Sequence, residues 1–270
     1  NPLMVVGAVN AYCAKMAESA GHKALYLSGA GVANASFGLP DLAITTLNDV
    51  AEDARRITQA TDLPLLLDID TGFGGAFSIA RTIKEMIAAD VAAVHIEDQV
   101  TQKRCGHRPN KNLVDKVEMS DRIKAAVDAS KMNNKDILVM ARTDAIATRG
   151  LDDAIKRMQK FSELGADILF VEAIKSKEDM KRVIKEVPGH HMINLIEDGE
   201  TPLLEINELE DLGFKIAVFP LTLMSASVKT MQESLQNMKN KVYNTNVSKF
   251  SDLRDIVGFN EYYEIEDKYK

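Results

Sequence analysis

Short apolar stretches and longer amphipathic ones alternate along the whole chain. The short stretches cover residues 4–9, 24–28, 63–70, 91–98, 137–144, 168–173, 191–197 and 215–220. They are rich in Val, Ile and Leu without polar alternation, as in parallel strands covered by helices. Thr46-Leu-Asn-Asp49 has the form of a capping box and predicts a helix running to Thr58. From Leu151 onward Ala154, Ile155, Met158 and Phe161 recur at helical spacing, which assigns Lys156, Arg157 and Lys160 to the wet face. Eight strand–helix units with right-handed crossovers close most naturally into a barrel. The expected fold is therefore α/β, a (β/α)8 TIM-type barrel forming one domain over residues 1–270. An open doubly wound sheet is disfavoured, because no glycine-rich dinucleotide fingerprint follows any strand. Residues 223–241 predict a Met-rich helix and 250–270 an acidic tail. Phe250, Leu253, Ile256, Val257, Phe259, Tyr262 and Tyr263 in that tail need a surface to cover. Another subunit would supply one, with 223–270 as a C-terminal helical extension.

Size and charge narrow the function classes. With 270 residues, 46% of them hydrophobic, the chain has enough apolar material for one large core. A formal net charge of -7 excludes a uniform positive field for nucleic acid or an anionic membrane, so an anionic ligand has to be captured locally. Cys13 and Cys105 stand in unrelated contexts and predict no disulfide, pointing to a reducing cytoplasm. No apolar run reaches the roughly 20 residues of a membrane span, and the first residues lack the basic-then-apolar order of a secretion signal.

Polar residues collect at the C-terminal ends of the predicted strands, where barrel enzymes place their chemistry. The third strand ends Asp68-Ile-Asp70 and the fourth His95-Ile-Glu97, and residues two apart on a strand share a side. Arg142 and Asp144, Glu172, Asn194, and Tyr26 with Ser28 add to the same rim. Crowded carboxylates either take up protons or bind a cation, and an all-oxygen set favours Mg2+, with Mn2+ as a substitute. Residues 102–111 form a basic stretch containing Gly106, Pro109 and a central thiol, which predicts a mobile lid. Lys103, Arg104, His107 and Arg108 would lower the Cys105 pKa and favour thiolate, making it a proton donor and acceptor. A zinc site is disfavoured, since Cys105 and His107 lack two further ligands at workable spacing. Cys13 reads as helix packing, and His22, His190 and His191 as solvent contacts. Thr71-Gly-Phe-Gly-Gly75 matches no phosphate loop and suggests close backbone approach to the cation site.

Tyr26-Leu-Ser-Gly29, Gly38-Leu-Pro-Asp41, Asp68-Ile-Asp-Thr-Gly-Phe-Gly74, His95-Ile-Glu-Asp-Gln99, Lys103-Arg-Cys-Gly-His107 and Ala141-Arg-Thr-Asp144 resemble the isocitrate lyase and phosphoenolpyruvate mutase superfamily, in order and over nearly the whole chain. Residues 103–111 are most similar to the 2-methylisocitrate lyases. The resemblance implies a Mg2+-dependent carbon–carbon lyase that cleaves 2-methylisocitrate, or a similar 2-hydroxy polycarboxylate, to pyruvate and succinate. It also admits relatives acting on oxaloacetate or a 2,3-dimethylmalate-type acid. A phosphonate-forming mutase is disfavoured by the Cys-Gly-His lid. By the same resemblance Asp68 binds the cation directly and Asp70, Asp41 and Glu97 hold its waters, with Glu172 near metal and substrate. Ser28, Gly29 and the adjoining Ala30 contact a substrate carboxylate, and Arg142, Asn194 and Gly106 hold other oxygens. Cys105 is the lid acid, with His107 beside it, and Tyr26 or a metal-bound water is the base. Arg254 is a further carboxylate ligand, in a homotetramer whose C-terminal helices are exchanged between subunits. The chain departs from the methylisocitrate lyase pattern at Ala30, Ile196 and Ser225, where that pattern has Gly, Thr and Arg.

Overall fold

The computed structural model describes residues 1–132 and 137–270. Its strands are β1 (Leu3–Gly7), β2 (Leu25–Leu27), β3 (Leu65–Asp68), β4 (Ala93–Glu97), β5 (Leu138–Thr143), β6 (Ile168–Val171), β7 (His190–Asn194) and β8 (Ile216–Phe219). All pair in parallel and in chain order, and β8 returns to β1 to close the barrel. Each strand overlaps the apolar run that predicts it, and all eight end one to three residues earlier than the run does.

The uninterrupted hydrophobicity of the strands is explained by two separate cores. Alternate residues such as Ala93, Ile168, Phe170 and Met192 point into the barrel. Their neighbours Val94, Ile96, Leu169, Val171 and Ile193 point outward, against the helices. A parallel strand buried on both faces has no position to give to solvent. Polar groups that face the barrel interior therefore have to sit at the strand ends, above the Tyr26, Met140 and Phe170 layer.

The capping box forms as expected: Thr46 Oγ1 accepts from the Asp49 amide, and the Asp49 carboxylate accepts from the Thr46 amide in front of helix Leu47–Thr58. Helix Leu151–Glu163 buries Ala154, Ile155, Met158 and Phe161, but also Arg157. The wet-face assignment of Arg157 is thus corrected. Its guanidinium is fully buried and reaches Asp98 at 3.0 Å and Asp153 at 2.8 Å. His191 is likewise buried, with Nε2 2.9 Å from the Val187 carbonyl oxygen, where solvent contact was expected.

Beyond β8 the chain continues as helices Thr222–Lys239, Phe250–Ile256 and Phe259–Asp267, none with a buried residue. Phe250, Leu253, Tyr262 and Tyr263 are exposed within one chain. Among the described residues no helix is long and apolar enough to cross a membrane.

Candidate active site

Strands β2 to β6 bring their last inward-facing side chains into one space at the barrel mouth. Asp68 is the final residue of β3, and its carboxylate accepts the amides of Gly29 (3.2 Å) and Asp70 (2.9 Å). The strand stops there, so same-side alternation does not place Asp70. Its backbone instead turns into the left-handed region at φ 49°. Both carboxylates still flank Gly29, where a Cβ would lie 2.9 Å from Asp70 Oδ1 and 3.1 Å from Asp68 Oδ2. Glycine is needed there for that approach.

The Thr71–Gly75 segment serves a different purpose from the one expected. A Cβ on Gly72 would meet Ile79 and Ile96, and one on Gly74 would meet Ser78, so the crowding is against helix and core rather than against the carboxylates.

Glu97 ends β4, and no hydrogen-bond geometry is met at either buried carboxylate oxygen, although Arg142 Nη1 lies 3.2 Å from Oε2. Burial pushes its pKa well above the usual range, against the pull of Arg142. Arg142 on β5 also reaches Asp144 through Nε (2.9 Å) and Glu172 through Nη2 (3.3 Å), and lies over the Phe170 ring. Burial opposes that charge, but the three carboxylates hold it firmly. Glu172, by the same arrangement, is kept near 2 despite its burial, chiefly by Arg142 and the His107 side chain. Asn194 lies 3.4–3.5 Å from Glu172, and its buried Oδ1 has no partner.

The lid descends onto this ring. Lys103, expected to act on Cys105, is buried and paired with Asp41 and with Asp70 Oδ1 at 2.7 Å. Asp70 nevertheless rises to about 7, through burial and the nearby Asp68 and Asp41 charges. His107 Nδ1 accepts the Glu200 amide at 3.1 Å, and Nε2 lies 3.1 Å from Glu172 Oε1 without meeting hydrogen-bond geometry. Gly106 faces Arg142 and Glu172 so closely that a Cβ would overlap both. A cleft of about 540 Å3 opens between Gly106–Lys111 of the lid and residues following β5, β6 and β7.

Cys105 is half-buried, and burial pushes its thiol up rather than down. The expected thiolate is corrected for a plain reason: Lys103 is captured by Asp41 and Asp70, while Arg104 and Arg108 face solvent. A protonated thiol over the mouth is a proton donor. Tyr26 changes role as well. Its buried hydroxyl is 2.6 Å from His95 Nε2, and burial together with Asp68 raises its pKa well above 10, disfavouring the phenolate a base would need.

Burial depresses His95 to about 4. A depressed histidine contributes stability that is complete above its ordinary value of about 6.5 and is lost as pH falls through the folded value. Denaturant unfolding of EDTA-treated protein is expected to lose about 3 kcal/mol more between pH 7 and 4 than His95→Asn does. Equal losses in the two proteins would contradict the neutral buried imidazole.

Two expected groupings differ in detail. The Ser28 hydroxyl accepts the Ala30 amide at 3.1 Å and keeps its own hydrogen for a substrate carboxylate, whereas the Gly29 amide is given to Asp68 within the chain. Arg254 is not at the mouth of its own chain. It lies over the Phe259 ring and donates to the Tyr263 hydroxyl at 3.0 Å. Sequence reasoning also missed the buried pair Lys111–Asp144 (2.8 Å), since nothing local marks Lys111 as different from its exposed neighbours.

A divalent cation fits this donor set. The orphaned oxygens of Glu97, the elevated Asp70 and the all-oxygen chemistry describe a mouth short of positive charge even with Lys103 in place. Among the described residues no three His, Cys, Asp or Glu side chains are grouped to hold a metal ion by themselves.

A barrel whose mouth is ringed by carboxylates, with one arginine and a thiol-bearing lid, has the makings of an enzyme for small carboxylic acids. Comparison with known proteins specifies the family. The family described as Phosphoenolpyruvate phosphomutase matches residues 1–239, and the chain belongs to it, within the isocitrate lyase and phosphoenolpyruvate mutase superfamily. It is 48% identical over 275 residues to the 2-methylisocitrate lyase of Vibrio cholerae serotype O1, covering 99% of this chain and 89% of that one. The crystal structure of 2,3-dimethylmalate lyase superposes with a TM-score of 0.95 at 35% identity, covering 100% of this chain and 91% of that one. Oxaloacetate acetylhydrolase bound to 3,3-difluorooxalacetate also gives 0.95, at 31% identity and 100% and 92% coverage.

Proposed function

We propose that this protein is a Mg2+-dependent carbon–carbon lyase, tolerant of Mn2+, that cleaves 2-methylisocitrate or a closely similar 2-hydroxy polycarboxylate into pyruvate and succinate. The observation that carries the reading is the burial of Asp68, Asp70 and Glu97 in one space with unsatisfied oxygens, beneath a lid that carries a protonated thiol. The identity to 2-methylisocitrate lyases supports the substrate.

Asp68 would hold the cation directly, with Asp70, Asp41 and Glu97 around it. When bound, the cation acidifies the substrate's 2-hydroxyl and draws electron density toward the developing ketone. The Ser28 hydroxyl would donate to one carboxylate of the substrate, and the Gly29 amide would join it on leaving Asp68 to the cation. As the carbon–carbon bond breaks, the 2-hydroxyl proton would pass to the Tyr26 oxygen while the Tyr26 proton moves to His95 Nε2, and Arg142, Asn194 and the Gly106 amide face the carboxylate of the departing half, where negative charge develops. Glu172, held ionised by Arg142 and His107, keeps that arginine aligned. Cys105 then donates its proton to carbon, and the closed lid excludes water from the carbanion.

A second reading has its own support. Among the described residues, the ends of β7, β8 and β1 bring no cationic side chain to the mouth, and Ser225 is exposed on helix Thr222–Lys239. That sector favours an acid with one carboxylate fewer, such as a 2,3-dimethylmalate-type acid or oxaloacetate. A panel of these three acids, assayed for 2-oxo acid with Mg2+ and again with EDTA, separates the readings. Turnover of 2-methylisocitrate that EDTA abolishes is the expected result; product from the smaller acids alone would transfer the assignment to them.

The exposed aromatic residues of the C-terminal helices support a homotetramer in which those helices are exchanged, carrying Arg254 toward a neighbouring mouth. Two free cysteines support a reducing, cytoplasmic setting.

A further inference from the structure

The lid is tied down in two different ways. At its stem the ties are backbone and amide bonds. Gln99 and Leu113 form an antiparallel bridge, the Val100 amide donates to the Asn112 carbonyl at 2.9 Å, and the Gln99 side chain bonds the Arg104 backbone in both directions. Between those fixed ends the ties are ionic. Lys103 pairs with Asp41 and Asp70, and Lys111 pairs with Asp144 at 2.8 Å while also donating to the Gly106 carbonyl.

Both lysines are at most 5% exposed, although their neighbours Arg104, Arg108 and Asn110 face solvent. Removing an ammonium from water is costly unless it is paired, and this loop bears that cost twice, on either side of Cys105. Lys111 is the more informative of the two. One of its contacts is a carboxylate following β5, and the other is the carbonyl of the residue next to Cys105. A single side chain therefore fixes the thiol's backbone to the barrel. Asp144 keeps Arg142 as a second partner, so loss of Lys111 does not leave it unpaired.

We infer that Lys111, assisted by Lys103, is a positioning residue that holds the Cys105 thiol over the barrel mouth. The inference rests on the reading of Cys105 as proton donor, but the position of the thiol can be measured without turnover. In a Cys13→Ala background, iodoacetamide reports on Cys105 alone. Lys111→Met is expected to raise its alkylation rate about tenfold, as the lid opens more often, and to lower kcat by about the same factor with KM nearly unchanged. Lys111→Arg should recover part of both effects, which a merely structural role would not do. Thermal melts confirm that each variant is folded, and Lys103→Met provides the same readout should Lys111→Met fail to fold. Unchanged alkylation in the folded variant would overturn the inference. Faster alkylation with unchanged kcat would leave the tether standing and overturn the donor role of Cys105 instead.

Discussion

Cys105→Ser is expected to reduce kcat by about 1000-fold while substrate affinity changes little, because general-acid catalysis is typically worth that factor and the thiol acts after the bond breaks. Serine keeps the size of the side chain and loses its acidity. Burial already holds the cysteine in its protonated form, so at neutral pH the wild-type donor is loaded before substrate arrives. Steady-state release of 2-oxo acid, together with direct titration of a non-cleaved dicarboxylate, separates kcat from binding. A variant with wild-type kcat would remove Cys105 from the mechanism.

The second large effect falls on Asp68→Asn. An amide in this position loses the charge and turns an N–H group toward either the Gly29 or the Asp70 amide, both of which Asp68 now accepts. Activity should fall by at least about 1000-fold, the several kcal/mol that a Lewis-acid cation supplies. The fold should survive, since the substitution relieves repulsion with Asp70. Activity surviving in Asp68→Asn at ordinary Mg2+ concentrations would mean that the cation is held elsewhere.

Much of this architecture was legible in the chain because it depends on local pattern. Eight runs that are largely apolar up to their C-terminal ends mark eight strands, and Thr46 with Asp49 marks a helix start to the residue. The residues ending those runs identified the mouth for the same reason: Asp68 and Glu97 interrupt stretches that are otherwise apolar on both faces. What could not be read were charges whose partners lie far away in sequence. Arg157 has the spacing of a wet-face residue and is buried because Asp98, 59 positions earlier, meets it beside the local partner Asp153. Lys103 and Lys111 look like surface lysines of a basic loop until the carboxylates of other strands are set beneath them. The Cys105 pKa escapes local pattern too, for the fold buries the thiol beside Asp41 and commits Lys103 to Asp41 and Asp70. Arg254 shows a different limit, since a single chain gives no place for the helix that carries it.

Everything in the proposed chemistry depends on a divalent ion at the ring of carboxylates. Calorimetric titration of Mg2+ into EDTA-stripped protein, with pyruvate present, addresses this most directly. The expected result is one saturable site per chain in the wild type and none in Asp68→Asn. The same heat in both proteins, or no binding in either, would contradict the account.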